Sequence, residues 1–334
     1  MNEVVFFINK VLIAGSVIGS IYAMGAVGVT LVFGILRFAH FAHGDLMTVG
    51  AFSALIAATL LKQSGISTPL PSGFVVLPIA MAFTAALAIL LDRFFYKPLR
   101  DRAAIPVVLV MASIGVMLML QGIVRLFAGT SSRNFFAGES KDIFHISLPF
   151  ELAQRKIVMT EPQVLLILFV VASVVALHLF LTRSRLGKAM RAMSDNADLA
   201  RVSGINTELV AWTTWIIAGA LAAAAGTLLS LDVVLKPDLS FNLLLPIFAA
   251  AIVGGIGQPY GAVAGGFLVG FAETLSVFNW SVLLRPLGAY LPEAIAVPQK
   301  LAFVPTEYKI VVPFFILVAV LIWRPTGIFR GRVL

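Results

Sequence analysis

Residues 162–208 read PQVLLILFVVASVVALHLFLTRSRLGKAMRAMSDNADLARVSGINTE. The first part, 162–182, is apolar and free of charged residues. At about 20 residues it is long enough to cross the hydrocarbon core of a bilayer as a helix. Loop 183–208 then brings Arg183, Arg185, Lys188, Arg191 and Arg201 against Asp195, Asp198 and Glu208, and a second apolar run, 209–231, follows. A greasy span, a basic insert and another greasy span describe a polytopic helical membrane protein. Composition agrees: 60% of residues are hydrophobic and 12% charged, with a mean hydropathy of +1.01, whereas a soluble domain carries about 25% charged residues. The alternating strand pattern of a membrane barrel is absent.

Nine apolar segments can be drawn, at roughly 9–36, 45–62, 74–92, 104–127, 162–182, 209–231, 243–256, 260–280 and 309–323. The expected fold is an all-α polytopic membrane protein of about nine spans, forming one transmembrane domain over residues 1–334. One or two helices are expected to be broken or re-entrant. The seventh segment is short and bounded by glycine, and Phe38–Asp45 is a second candidate break. Such irregular backbone is tolerated at membrane depth only where protein or a water-lined cavity covers it.

Loop charges set the orientation. Loop 92–102 has Arg93, Lys97, Arg100 and Arg102 against Asp92 and Asp101, and the tail has Arg324, Arg330 and Arg332. Loop 128–161 is balanced, with Arg133, Lys141, Arg155 and Lys156 against Glu139, Asp142, Glu151 and Glu161. Basic loops stay in the cytoplasm. Loop 183–208 is therefore read as cytoplasmic and loop 128–161 as periplasmic, with the N-terminus out and the C-terminus in. The same bias accounts for the net charge of +8 without a nucleic-acid partner. Met1-Asn2-Glu3 lacks a basic n-region, so the first run reads as a retained span. There is no cysteine, which removes disulfides, thiolate nucleophiles and Cys-ligated metals.

Small residues recur as Gly15-x-x-x-Gly19, Gly261-x-x-x-Gly265 and Gly266-x-x-x-Gly270. In lipid, small residues let helix backbones approach, and packing inside the bundle is the expected use. Gly254-Gly255-Ile256-Gly257 has neither the spacing nor the preceding strand of a dinucleotide loop, and no P-loop motif occurs. A tight turn between spans is expected there, and the chain has no visible means of hydrolysing ATP. His40-x-x-His43 lacks the further ligands of a metal site and reads as a polar break, with no metal or cofactor expected. His178 reads as a structural histidine at a span end. Glu273 sits deep in an apolar segment, where a charge costs several kcal/mol. Both a hydrogen-bonded packing role and a place along a polar path remain open for it.

Within loop 183–208, Ser194 or Asp195 is expected to cap a helix whose first turn holds Asp198, and Gly204 to stop it in the left-handed region. Met190, Met193, Ala197 and Ala200 recur at helical spacing as one apolar face. Having no Trp or Phe anchor, that face suits a protein groove better than lipid headgroups.

At this point a family resemblance enters. FAHGD (Phe41–Asp45), GKAMRAMSDNADLARVSGIN (Gly187–Asn206), GGIG (Gly254–Gly257), GAVAGGFLVGFAE (Gly261–Glu273), TEYK (Thr306–Lys309) and RPTGIF (Arg324–Phe329) resemble, in order, the motifs of permease subunits of branched-chain amino-acid ABC importers of the LivH type. The resemblance implies a transport subunit of the bacterial inner membrane, not an enzyme. Its implied partners are a second permease of the LivM type, two cytoplasmic ATPase subunits and a periplasmic solute-binding protein. Gly187, Met190, Arg191, Ala192, Asn196, Ala200 and Gly204 would form the segment that docks on an ATPase. His43, Gly44, Asp45, Gly254, Gly255 and Glu273 would lie near the translocation path. Two stretches depart from the pattern: 283–305 is long and rich in proline, and Leu244–Phe248 lacks small polar residues. Family relatives also carry urea and short amides, so that cargo stays open. An ion-coupled secondary carrier is the alternative of another class, and the scarcity of intramembrane charge argues against it.

Overall fold

The structure, a computed structural model, describes residues 2–65, 68–136, 140–146, 156–284 and 301–329. Glu139, Glu151 and Arg155 of the balanced loop, most of the 283–305 stretch, and Arg330 and Arg332 lie outside them. Each of the nine apolar segments is helical. They are α1 (Asn2–Leu36, with a π-helical turn at Ile8–Ile13), α2 (His43–Gln63), α3 (Leu77–Asp101, with a π-turn at Asp92–Tyr96), α4 (Pro106–Ala128) and α5 (Glu161–Arg183). After α5 come α6 (Arg185–Asp195) and α7 (Ala197–Val202), then α8 (Thr207–Asp232), α9 (Leu239–Gly254), α10 (Pro259–Val277) and α11 (Val311–Trp323). Among the described residues, seven helices are long and apolar enough to cross a membrane. The apolar helices α9 and α11 are shorter, at 16 and 13 residues.

Three expectations need correction. The chain is not wholly α. Ile143–Ile146 (β1) and Ile157–Thr160 (β2) pair antiparallel, with Ile143 opposite Thr160 and Ile146 opposite Ile157. Backbone that leaves a helix still needs hydrogen-bond partners, and these β-branched residues suit strands. The seventh segment is not broken. α9 runs through as one helix with Pro246 inside it, and Gly255, at φ 108°, closes it. Finally, basic loop 92–102 is largely helix, and Arg100 closes on the Asp92 carboxylate with two bonds of 2.6 and 2.9 Å.

The break at Phe38–Asp45 is real. α1 stops at Arg37, which takes the left-handed conformation (φ 64°), and residues 37–42 are non-helical. α2 then starts at His43, whose ring fills the space beside Gly28. Gly28 lies eight residues before the end of α1, about 12 Å at 1.5 Å per residue. The chain therefore folds back into the bundle, and α2 begins in its interior, with His43, Gly44 and Asp45 all buried.

Contacts between loops sort the helix ends into two groups. At one end the Arg37 guanidinium donates to the Ser194 carbonyl (2.8 Å), Lys97 pairs with Glu208, and the Ile328 N–H donates to the Val253 carbonyl (2.9 Å). The described parts of the basic loops gather here, so this is the basic end. At the hairpin end, Lys62 donates to the Phe135 carbonyl (2.9 Å) and Lys141 to the Asp232 carbonyl (2.6 Å). The Asn9 side chain ties α1 to Lys156 and Val158 beside β2.

The bundle is organised around α1, which packs on α5, α8, α9 and α10. The glycine pairs are used inside it. A methyl group at Gly266 would strike the backbone of Ala23, and one at Gly270 would lie 2.5 Å from the Gly19 backbone. Gly265 presses on the Ala250 carbonyl of α9, and Gly254 and Gly261 abut one another. Close backbone approach of this kind replaces the hydrophobic drive that lipid does not supply. By contrast, Gly122 on α4 faces open space. Gly270→Ala is expected to lower stability by about 1–3 kcal/mol through overpacking, read as a fall in the thermal midpoint of the detergent-solubilised chain. Gly122→Ala should hold or raise that midpoint. Equal effects at the two sites would contradict this account of the packing.

Candidate coupling and translocation sites

Loop 183–208 folds as two short helices rather than one, and each has its own cap. The Ser184 side chain accepts from the Gly187 N–H (2.8 Å) and opens α6. The Asn196 side chain accepts from the N–H groups of Asp198 (3.1 Å) and Leu199 (3.0 Å) and opens α7. Asn206 in turn opens α8 by accepting from Leu209. The caps are therefore Ser184 and Asn196, not Ser194 or Asp195. Asn196 has extended backbone (φ −149°, ψ 106°), and that breaks the expected single helix. Gly204 takes φ 81° as the stop after α7.

The apolar face also points elsewhere than expected. Met190, Met193 and Ala200 are buried within the chain, where α6 packs on α5, α8 and α1 and α7 packs on α6 and α8. Gly187 is buried too, and a methyl group there would run into the Phe180 carbonyl. These residues seat the segment on the bundle, so they do not form a free docking face. The outward surface is a different set. Leu199 and Val202 are 65% and 86% exposed, and Arg191, Asp195, Asn196, Asp198, Arg201 and Gly204 are exposed as well, with Ala192 half-buried. Arg201 lies 3.8 Å from Asp198, a surface pair of small energetic weight.

The residues expected along a path do not line one cavity. His43, Gly44 and Asp45 sit at the buried start of α2. There, His40 is boxed by Phe38, Tyr96 and Trp215, with Tyr96 and Trp215 stacked at 5.5 Å, and its Nε2 lies 3.0 Å from the Tyr96 hydroxyl. The other ring nitrogen of His40, both nitrogens of His43, the Trp215 indole nitrogen and the hydroxyls of Thr30, Thr48, Thr84 and Thr227 are buried without a hydrogen-bond partner. Gly254 and Gly255 lie at the basic end, in backbone contact with Gly261 and Gly327 respectively.

Glu273 is near the hairpin end and only 5% exposed. The Tyr22 hydroxyl donates to its Oε2 (2.7 Å), and Lys309 Nζ lies 3.3 Å from its Oε1. The same carboxylate lines a cavity of about 320 Å³. Glu273 is thus both a hydrogen-bonded packing residue and a cavity residue.

Sequence reasoning missed three residues that these sites depend on. Arg37 joins the end of α1 to the last turn of α6, where a cation meets free carbonyls favourably. Its signal was a lone arginine at the end of a long apolar run. Tyr22 and Lys309 complete the Glu273 cluster from positions 251 and 36 residues away, and only the fold brings them together. His178, read as structural, lies with Nδ1 3.0 Å from the Tyr260 hydroxyl.

Comparison with known proteins adds the remaining finding. Residues 11–321 match the family model described as branched-chain amino acid transport system / permease component. The chain is 30% identical to the high-affinity branched-chain amino acid transport system permease protein BraD of Pseudomonas aeruginosa, over 98% of this chain and 97% of that one. It is 31% identical to the corresponding LivH protein of Escherichia coli, with the same coverage. It is also 31% identical to a probable LivH protein of Methanocaldococcus jannaschii, over 81% and 82% of the two chains. No solved structure matches the chain. With nine apolar helices among the described residues, a glycine-packed bundle and a family match over nearly its whole length, the chain is a multi-pass membrane protein that belongs to the family of branched-chain amino acid transport system permease components.

Proposed function

We propose that this chain is one half of the transmembrane pathway of an ATP-driven importer of the bacterial inner membrane, and that its cargo is a branched-chain or other apolar amino acid. The relatives named for branched-chain amino acid transport over nearly their full length support the cargo. The other components are a second permease, two cytoplasmic ATPase subunits and a periplasmic binding protein that delivers the solute. The chain makes nine crossings, with the N-terminus out and the C-terminus in. The gathering of basic loops at one end supports that orientation.

One observation carries the mechanism: α6 and α7 are held on the bundle by a buried face while a small apolar patch faces outward. Leu199 and Val202 form that patch on α7, with Arg201 on the same short helix, Asn196 at its cap and Arg191 exposed on α6. An ATPase groove takes the patch as an anchor, and its movement on binding and hydrolysing ATP passes through α6. Met190 and Ala200 transmit it into α5 and α8 by packing, and Arg37 transmits it to the end of α1. The spans then alternate between outward and inward openings. Gly187 permits the close seat of α6, and Gly204 sets the exit into α8.

Two measurements test this reading. The Leu199→Asp, Val202→Asp double variant should reach the membrane at normal levels yet lose uptake at least about ten-fold, since an unpaired charge in a closed interface costs on the order of 3–5 kcal/mol. Its ATPase subunits should no longer co-purify. Ala200→Glu, by contrast, should reduce the amount of folded permease, because Ala200 is buried in the chain. Wild-type uptake by the double variant would remove α7 from the coupling path. For topology, the chain is free of cysteine, and Ser140 and Ser203 are exposed at opposite ends. In intact cells an impermeant thiol reagent should label Ser140→Cys and leave Ser203→Cys untouched. The opposite pattern would invert the orientation.

A further inference from the structure

The cavity at the hairpin end has an unusual distribution of charge. Its floor is the Glu273 carboxylate, buried and fixed by the Tyr22 hydroxyl. Lys309, 53% exposed, reaches it from the rim, and Lys10, also exposed, lines the same space. Phe6, Ile18 and Val277 form an apolar wall. Two lysines and one carboxylate therefore line the same space, beside a greasy surface. A cavity that served only to tie α10 to residue 309 would need Glu273 and Lys309 alone.

The local backbone draws attention to the same wall. Lys10 lies in the π-helical turn Ile8–Ile13 of α1, and π-turns within α-helices concentrate at functional sites. The wall also lies close to the hairpin end of the bundle, where the proposed orientation puts the periplasm. The cavity volume of about 320 Å³ falls at the small end of ligand-sized pockets, about 300–1,000 Å³.

We infer that this cavity is an entry site for a zwitterionic α-amino acid with an apolar side chain. The ammonium of the ligand lies toward Glu273, its carboxylate lies between Lys10 and Lys309, and its side chain rests on Phe6, Ile18 and Val277. A sugar or urea would leave both lysines and the apolar wall unmatched. This inference rests on the proposed importer function and names the substrate class at one of its sites.

Thr306 lines the cavity and is exposed, so Thr306→Cys in this cysteine-free chain is a reporter. In the assembled complex, millimolar leucine should slow thiol labelling at that position several-fold. Isopentylamine, which lacks the carboxylate, 4-methylpentanoate, which lacks the ammonium, and urea should not. Lys10→Gln should abolish the protection while leaving the thermal midpoint unchanged; a merely structural cluster would keep it. Glu273→Gln should abolish it as well. Absence of leucine protection in a complex that still takes up leucine would overturn the site and leave the importer reading intact. Protection without any ATP-driven leucine uptake would support the site and overturn the importer reading. Equal protection by either truncated analogue or by urea would overturn the zwitterion assignment.

Discussion

The backbone of α1 lies against the backbone of α10, with glycine on both sides of the contact. At Gly19, Gly266 and Gly270 a single added carbon would meet main-chain atoms. In water such a contact would be one of many, because burial of any apolar surface is favourable. In lipid the tails are as apolar as leucine, and dispersion between closely fitted surfaces holds helices together. The seating of α9 on α10 uses the same device at Gly254, Gly261 and Gly265. The turn at Gly255, the position of the Glu273 cluster on α10 and the inward start of α2 are all set from this packed centre.

Much of this fold was legible in the residues. Nine apolar runs became nine helices, because a run of apolar side chains in lipid has few alternatives to a hydrogen-bonded helix. The glycine pairs were read correctly as internal contacts, and the break after Phe38 was visible as a cluster of polar residues. What failed to show was which surface covers which. The amphipathic pattern of Met190, Met193 and Ala200 announced a buried face, and it is buried, but against the same chain rather than a partner. Periodicity specifies a face and is silent about its occupant. The split into α6 and α7 turns on one asparagine cap, a local competition between side chain and backbone. The hairpin was hidden in a loop whose balanced charge dominated its reading. The Glu273 cluster draws on positions far apart in the sequence, so no local signal carries it.

The centre of the bundle is less well satisfied than its flanks. Where α2 starts, the rings of His40, His43 and Trp215 and the hydroxyls of Thr48 and Thr84 include buried atoms with no hydrogen-bond partner. Each such group costs on the order of 1–3 kcal/mol relative to a paired one. The glycine seam between α1 and α10 carries close packing instead. Unpartnered hydroxyls also occur on α1, at Ser20 and Thr30, so the polar groups run from the start of α2 across to the packed centre.

α1 is a single helix of 35 residues, about 50 Å long at 1.5 Å per residue. The hydrocarbon core is about 30 Å thick, so the rod extends beyond it. One end carries Arg37, hydrogen-bonded to the last turn of α6. The π-turn toward the other end carries Lys10, on the wall of the Glu273 cavity. The glycine contact with α10 lies between these two ends. The seat of α6 at the basic end and the Glu273 cavity at the hairpin end therefore share one helix, which joins two groups of residues that have no other element in common.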